Sequence, residues 1–222
     1  MYTQTQYIFF TAPAGPKSIN DNSDADESAR HCLPHLLPLV DQHDGFLVAC
    51  YSDHPLTWML SKYTAKPVVG IFQASITTSL QVISRHQTFG IVTTGDVWET
   101  LLTKAVHAFI GSPAKNRNDL ERISPFAGVE TTGMNAIDLH DAPVAEVHRR
   151  IKEATKRLLD RNHHGDVRAI CLGCAGMVGM EEVVREACIE KLGDADGDSL
   201  FRVVDGVKAG VGVLQGLVRG GF

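Results

Sequence analysis

The sequence predicts an α/β fold built on mainly parallel sheets, and three observations carry that prediction. Short apolar runs alternate with longer amphipathic stretches along the chain, the strand-then-helix pattern of parallel α/β proteins. Several of the short runs are continuous Val/Ile/Leu/Phe segments, as expected of strands covered on both faces. From Asp141 to Leu159, Val144, Val147, Ile151, Ala154 and Leu158 recur at helical spacing, while Arg149, Arg150, Lys152 and Lys156 occupy the remainder of the surface.

In chain order, strands are expected at Tyr7–Phe10, Phe46–Cys50, Val68–Phe72, Phe89–Thr93, Arg168–Gly173 and Phe201–Val204. Gly15–Ser28, rich in Gly, Pro, Asn, Asp and Ser, reads as a loop before a Pro-interrupted helical segment at Ala29–Gln42. Further helices are expected at Ser75–Ser84, from Asp96 onward (Glu99 making a box-like start), at Glu181–Leu192 and at Val207–Val218. Pro143 is tolerated near a helix start because first-turn amides have no intrahelical partner. A loop at Gly111–Pro125 separates one helix from the next short strand. A boundary near His86–Phe89 divides the chain into a first lobe, 1–88, completed by a C-terminal helix over 206–222, and a second lobe, 89–205.

The bulk properties exclude several function classes. A chain of 222 residues with 44% hydrophobic content builds one large domain or two small ones around a real core. A formal net charge of −5 gives no basis for binding nucleic acid or an anionic membrane, although it leaves a small anionic substrate open. No apolar run approaches membrane-spanning length, and the opening Met-Tyr-Thr-Gln-Thr-Gln lacks the features of a secretory signal. Five cysteines at irregular spacing do not form a disulfide framework, so a reducing, cytoplasmic setting is expected.

Two of those cysteines end strand-like runs. Cys50 closes Phe46-Leu-Val-Ala-Cys50, and Cys174 lies in Cys171-Leu-Gly-Cys-Ala-Gly-Met177. Open parallel sheets bind ligands beyond the carboxyl ends of their strands. Position alone leaves Cys50 divided between chemistry and simple core filling. Cys174 is the better candidate, because Gly173, Ala175 and Gly176 leave little bulk around it, and turn amides there can hold an oxyanion and favour the thiolate. Cys171 completes a Cys-x-x-Cys, but strand positions three apart face opposite sides, and a second pair of metal ligands is missing. Cys171 therefore reads as core, as do Cys32 and Cys188, and no metal site is expected.

Thr93-Thr94-Gly95-Asp96 is a third strand-to-helix transition, where hydroxyls and amides either orient a ligand or, at Thr94, cap the helix. Thr131-Thr132-Gly133 is a weaker version of the same pattern. The histidines at 54, 86, 107, 140, 148, 163 and 164 show no metal-ligand spacing, and the adjacent His163 and His164 read as exposed helix-end material. Phosphate-loop, dinucleotide and nucleophile-elbow motifs are all absent.

Cys171-Leu-Gly-Cys-Ala-Gly-Met177 resembles the second catalytic segment of hydantoin and allantoin racemases of the aspartate/glutamate racemase superfamily, and Ala49-Cys-Tyr-Ser-Asp53 resembles their first. Phe89–Gly95, Phe126–Asn135, Val204–Gly210 and Phe10–Pro16 are similar to further segments, especially of fungal-type members. The resemblance implies two tandem flavodoxin-like three-layer lobes with the active site between them. It implies Cys50 and Cys174 as acid/base residues, and substrate contacts from Ser52, Asp53, Thr93, Thr94 and the backbone around Gly173, Ala175 and Gly176. It also implies no cofactor, a small-molecule partner, and the homo-oligomeric assembly common in the family. Gly-Cys-Ala-Gly, rather than the Gly-Cys-Thr-Glu of amino-acid racemases, favours a cyclic ureide such as allantoin or a 5-substituted hydantoin.

There are two departures. The chain begins near what would be the family's second strand, with no Asn-Pro-Asn-Thr-type loop, and Gln73 stands where the family often has Glu. The competing expectations are an amino-acid racemase, a maleate-type isomerase in which one cysteine attacks covalently, or a catalytically silent ligand-binding homologue.

Overall fold

Sheet pairing begins where the apolar runs expected as strands run side by side. In the computed structural model, which describes residues 5–111, 124–161, 166–193 and 201–222, β1 (Phe46–Val48) pairs in parallel with β2 (Val68–Gly70). A second, four-stranded parallel sheet has the order β4-β3-β5-β6, from β3 (Gln87–Thr93), β4 (Phe126–Thr131), β5 (Asp166–Leu172) and β6 (Arg202–Asp205). Helices α1 (Asn22–Leu36), α2 (Pro55–Ser61), α3 (Ile71–Val82), α4 (Val97–Ile110), α5 (Asp138–Asp141), α6 (Val144–Asp160), α7 (Glu181–Leu192) and α8 (Gly206–Gly220) link and cover the strands. The arrangement is that of tandem flavodoxin-like α/β lobes. No helix among the described residues is long and apolar enough to cross a membrane.

The alternation of β5 shows how the larger sheet is filled. Ile170 and Leu172 face α6 and α7, packing with Ile151, Leu158, Val184 and Cys188. Ala169 and Cys171 face the other way, toward Ile71, Phe72 and Ile76 of α3 and Trp98 and Leu102 of α4. Close approach is enforced at Gly90, where a Cβ would stand 2.6 Å from Leu158 Cδ1. The C-terminal helix returns to the smaller sheet with equal intimacy, since a Cβ on Gly210 would stand 2.7 Å from Leu47 Cδ1. A third cluster joins α1 and α2 to β1 through Ala29, Cys32, Leu36, Val48, Leu56 and Leu60.

Several expectations are corrected. Tyr7–Phe10 is not a strand: its backbone has no ladder partner, and Phe9 is 94% exposed. The helix expected from Ala29 begins at Asn22, inside the expected loop, because Asp21 caps it by accepting the Asp24 amide at 3.0 Å. The same helix then buries Ala25, Ala29, Cys32 and Leu36 along one face. The strand expected through Phe72 stops at Gly70, which is extended and serves as the N-cap of α3, so Ile71 and Phe72 are helical. The helix expected from Asp141 is divided into α5 and α6, because Ala142, preceding Pro143, is forced to an extended ψ of 156°. His163, His164 and most of the Gly111–Pro125 loop lie outside the described residues.

All five cysteines are free thiols, and Cys32, Cys171 and Cys188 are buried. Burial pushes Cys188 from 9.0 up to about 12, opposed only by the charge of Arg185. Above a pH of 9 the unfolded thiol ionises while the folded one keeps its proton. Its contribution is therefore full below 9 and is lost as pH rises toward about 12. Denaturant midpoints measured across that range should fall with pH, and the slope should be shallower in Cys188→Ala. A second outcome concerns packing: Gly90→Ala should lower unfolding free energy by about 1–3 kcal/mol in urea titrations, because the added methyl meets a fully buried Leu158.

Candidate active site

The first cysteine lies just past the end of β1, in a turn closed by the Ser52 amide donating to the Cys50 carbonyl at 3.0 Å. The next residues cap α2. Pro55 occupies its first turn, and His54 Nδ1 accepts the Leu56 amide at 3.3 Å. That bond requires an unprotonated Nδ1, and burial lowers the His54 pKa accordingly. Cys50 keeps part of its surface open, yet its sulfur is desolvated. Burial pushes its thiol up to about 11; the Ser52 hydroxyl, 3.5 Å from the sulfur, opposes the rise, and negative charge at Cys174 adds to it. The two thiols therefore share one electrostatic environment although their strands belong to different sheets.

The second cysteine is fixed by its neighbour. Gly173 donates its amide to the Val92 carbonyl at 2.7 Å, and Thr93 Oγ1 donates to the Gly173 carbonyl at 2.6 Å. A Cβ on Gly173 would stand 2.6 Å from Thr93 Cβ and 2.8 Å from the Val92 oxygen, so only glycine permits this approach. Cys174 is extended and caps the 3-10 turn Ala175–Met177. Burial pushes its thiol up, and the Gly176 and Met177 amides pull it back by donating to the sulfur. A Cβ on Gly176 would lie 3.6 Å from both Cys174 Sγ and His140 Nε2, so that glycine leaves a notch between thiol and imidazole.

The remaining expected residues separate into groups. Ser52 stands against Cys50, and Thr93 and Gly173 brace the end of β5. Ala175 and Gly176 form the turn beneath Cys174. Thr94 does not cap α4. Its carbonyl accepts the Thr132 and Gly133 amides, at 3.1 and 3.2 Å, and it lines a cavity of about 280 Å³ with Asn20, Asp21, Asp96 and Asn135. That cavity contains neither cysteine. Asp53 is exposed and accepts from Gln73 Nε2 at 2.8 Å. Among the described residues, no group of three or more His, Cys, Asp or Glu side chains is arranged to hold a metal.

Sequence reasoning gave no role to His140 or Tyr51, and it treated Gln73 only as a change of charge. His140 borders the Gly176 notch opposite Cys174, on a short helix that ends just before Pro143, a turn visible in the sequence but without direction. Gln73 Oε1 and Thr57 Oγ1 are both buried without a hydrogen-bond partner among the described residues, and both face the space over Gly70, where a Cβ would stand 2.3 and 3.3 Å from them. Their convergence depends on β2 ending at Gly70, which the apolar run did not reveal.

The Asp/Glu/Hydantoin racemase family model matches residues 2–214. An uncharacterized Schizosaccharomyces pombe protein is 38% identical over 207 residues, covering 93% of this chain and 76% of its own length. Protein DCG1 of Saccharomyces cerevisiae is 27% identical over 224 residues, covering 95% and 83% respectively. Among solved structures, allantoin racemase from Klebsiella pneumoniae superposes with a TM-score of 0.74 at 23% identity, over 95% of this chain and 74% of that one, a likeness of fold. With a match over nearly all of its length, the chain belongs to the Asp/Glu/hydantoin racemase family.

Proposed function

We propose that this protein is a cofactor-independent racemase of a cyclic ureide, allantoin or a 5-substituted hydantoin, acting by proton transfer between Cys50 and Cys174. The observation that carries this reading is the pair of desolvated thiols, delivered by strand ends of two different sheets, close enough that charge on one raises the other. Membership of the racemase family supports the reaction class. The likeness of fold to a protein named allantoin racemase, and Gly173-Cys-Ala-Gly176 beside the second thiol, support the substrate class.

The electrostatics give the two sulfurs different resting roles. Burial holds both thiols above their ordinary range, but Cys174 receives two backbone amides that oppose the rise and is the one assigned to ionise, while Cys50, raised to about 11 with a hydroxyl to oppose burial, is assigned as the neutral acid. Like charge disfavours ionising both, so the pair carries one proton more readily than none. The Cys174 thiolate takes the proton from the ring stereocentre, and the C–H electron pair moves into the adjacent carbonyl as an enolate. Cys50 then delivers its proton to the opposite face of the same carbon, the carbonyl re-forms, and the thiol and thiolate have exchanged places. The adjacent carbonyl and ring nitrogen already acidify the carbon. The Ala175 amide beside the second thiol is suited to the developing oxyanion, and Ser52, which stands against Cys50, to the rim of the ring.

Circular dichroism with each enantiomer of allantoin and of a 5-substituted hydantoin tests this directly. Cys50→Ala and Cys174→Ala should each lower racemisation by about a thousandfold, the scale of a lost general acid or base, while staying folded. In heavy water, each variant should still exchange the proton of one enantiomer on one face. Full racemisation by Cys50→Ala would sink the two-thiol reading. A stable covalent substrate adduct by mass spectrometry would replace it with nucleophilic isomerisation.

A further inference from the structure

Four polar side chains sit where the core would otherwise be apolar. Tyr51 is adjacent to Cys50, Ser75 and Ser79 lie one turn apart on α3, and Cys171 lies on β5 three residues before Cys174; Tyr51 is 4% exposed and the other three 0%. Tyr51 and Cys171 belong to one hydrophobic cluster with Ile71, Phe72, Ile76 and Ile91. The protons are directed. Ser75 Oγ donates to the Phe72 carbonyl at 2.8 Å, so it accepts from the Tyr51 hydroxyl, also at 2.8 Å. Ser79 Oγ stands 3.1 Å from Cys171 Sγ, which in turn points at the Ser75 carbonyl at 3.9 Å. The Cys171 thiol neighbours the Tyr51 phenol, and burial together with that neighbour holds the phenol well above its ordinary pKa.

Such a group is costly to bury unless every member is bonded, and an apolar core of the same shape would serve stability as well or better. What the polar group adds is direction between elements. Among the described residues, β1-β2 and β4-β3-β5-β6 share no ladder hydrogen bond. The Tyr51–Ser75–Cys171–Ser79 cluster joins the loop after β1, helix α3 and strand β5 at a place where no ladder does. The Tyr51 ring is clamped as well, edge-on to Phe72 at 5.7 Å between centroids, with Gly206 of α8 so close that a Cβ there would meet the ring at 3.2 Å.

We propose that this buried cluster is a latch between the lobes, with Tyr51 and Cys171 as positioning residues that set the separation of Cys50 and Cys174. The inference rests on the acid/base reading of those two thiols for its kinetic effect, but the latch itself is measurable without it. The test compares wild type, Tyr51→Phe, the double variant Tyr51→Phe/Ser75→Ala, and Cys188→Ala as a buried-thiol control outside the cluster. Racemisation kinetics, site-resolved iodoacetamide alkylation of Cys50 and Cys174 at one fixed pH, and unfolding free energy from urea titrations are the three readouts. Tyr51→Phe should lower kcat about tenfold with KM changed less than about threefold, as expected for a small misplacement of a reacting group. It should also speed Cys50 alkylation about tenfold, equivalent to one unit less of pKa elevation as the loop loosens.

The double variant removes both partners of the Tyr51–Ser75 bond and should regain folding stability without regaining kcat or the wild-type alkylation rate. Recovery of all three together, or unchanged alkylation in Tyr51→Phe, would overturn the latch. Altered alkylation in Cys188→Ala would overturn it too, by showing that any core defect suffices. A wild-type protein that racemises no ureide would refute the proposed reaction, while the alkylation rates would still decide the latch.

Discussion

In the proposed site, two thiols must be held together by something other than sheet pairing. Cys50 follows a strand of the two-stranded sheet and Cys174 follows a strand of the four-stranded one, so among the described residues no ladder hydrogen bond sets the distance between them. The unusual contacts of the structure cluster around this constraint. Gly173 lies against the end of β3, with Thr93 gripping its carbonyl. Tyr51 runs from the Cys50 turn into the core beside Cys171, and α8 crosses back to the smaller sheet on glycines that admit Tyr51 and Leu47. Each contact sacrifices something generic, a side chain or an apolar atom, for a defined approach between backbone segments.

The same geometry sets the protonation of the pair. Desolvation alone pushes both thiols toward the neutral form, which would leave no base. The inequality between them comes from the polypeptide around each sulfur: two backbone amides at Cys174, one serine hydroxyl at Cys50. In the proposed reaction, because ionised Cys174 raises Cys50 further, the charge that would make one residue a base keeps the other an acid. Reversible inversion at carbon needs that complementarity, and exchanging the proton exchanges the roles.

Much of this was legible in the sequence, and the gaps have physical reasons. Continuous apolar runs marked most strands, and the bare Gly-Cys-Ala-Gly turn marked Cys174, because a strand end with so little side-chain bulk is a local property. Cys171 was rightly read as core, yet its hydroxyl partners were invisible: Ser75 and Ser79 are ordinary polar positions on a helix until Tyr51 arrives from another element. Tyr7–Phe10 failed as a strand because pairing is non-local, and apolar content cannot supply a neighbour. The early start of α1 is hidden in the sequence because Asp21 sits among residues typical of loops, although its carboxylate is a cap.

The most direct measurement of the central claim is the fate of the transferred hydrogen in the wild-type protein. A single enantiomer of the ureide, turned over to a few per cent conversion in heavy water, should give product carrying solvent deuterium at the stereocentre. The unreacted substrate should remain protiated, because one thiol removes the proton and a different thiol supplies its replacement. Product that retains the substrate's own hydrogen would mean a single base serving both faces, and would contradict the account.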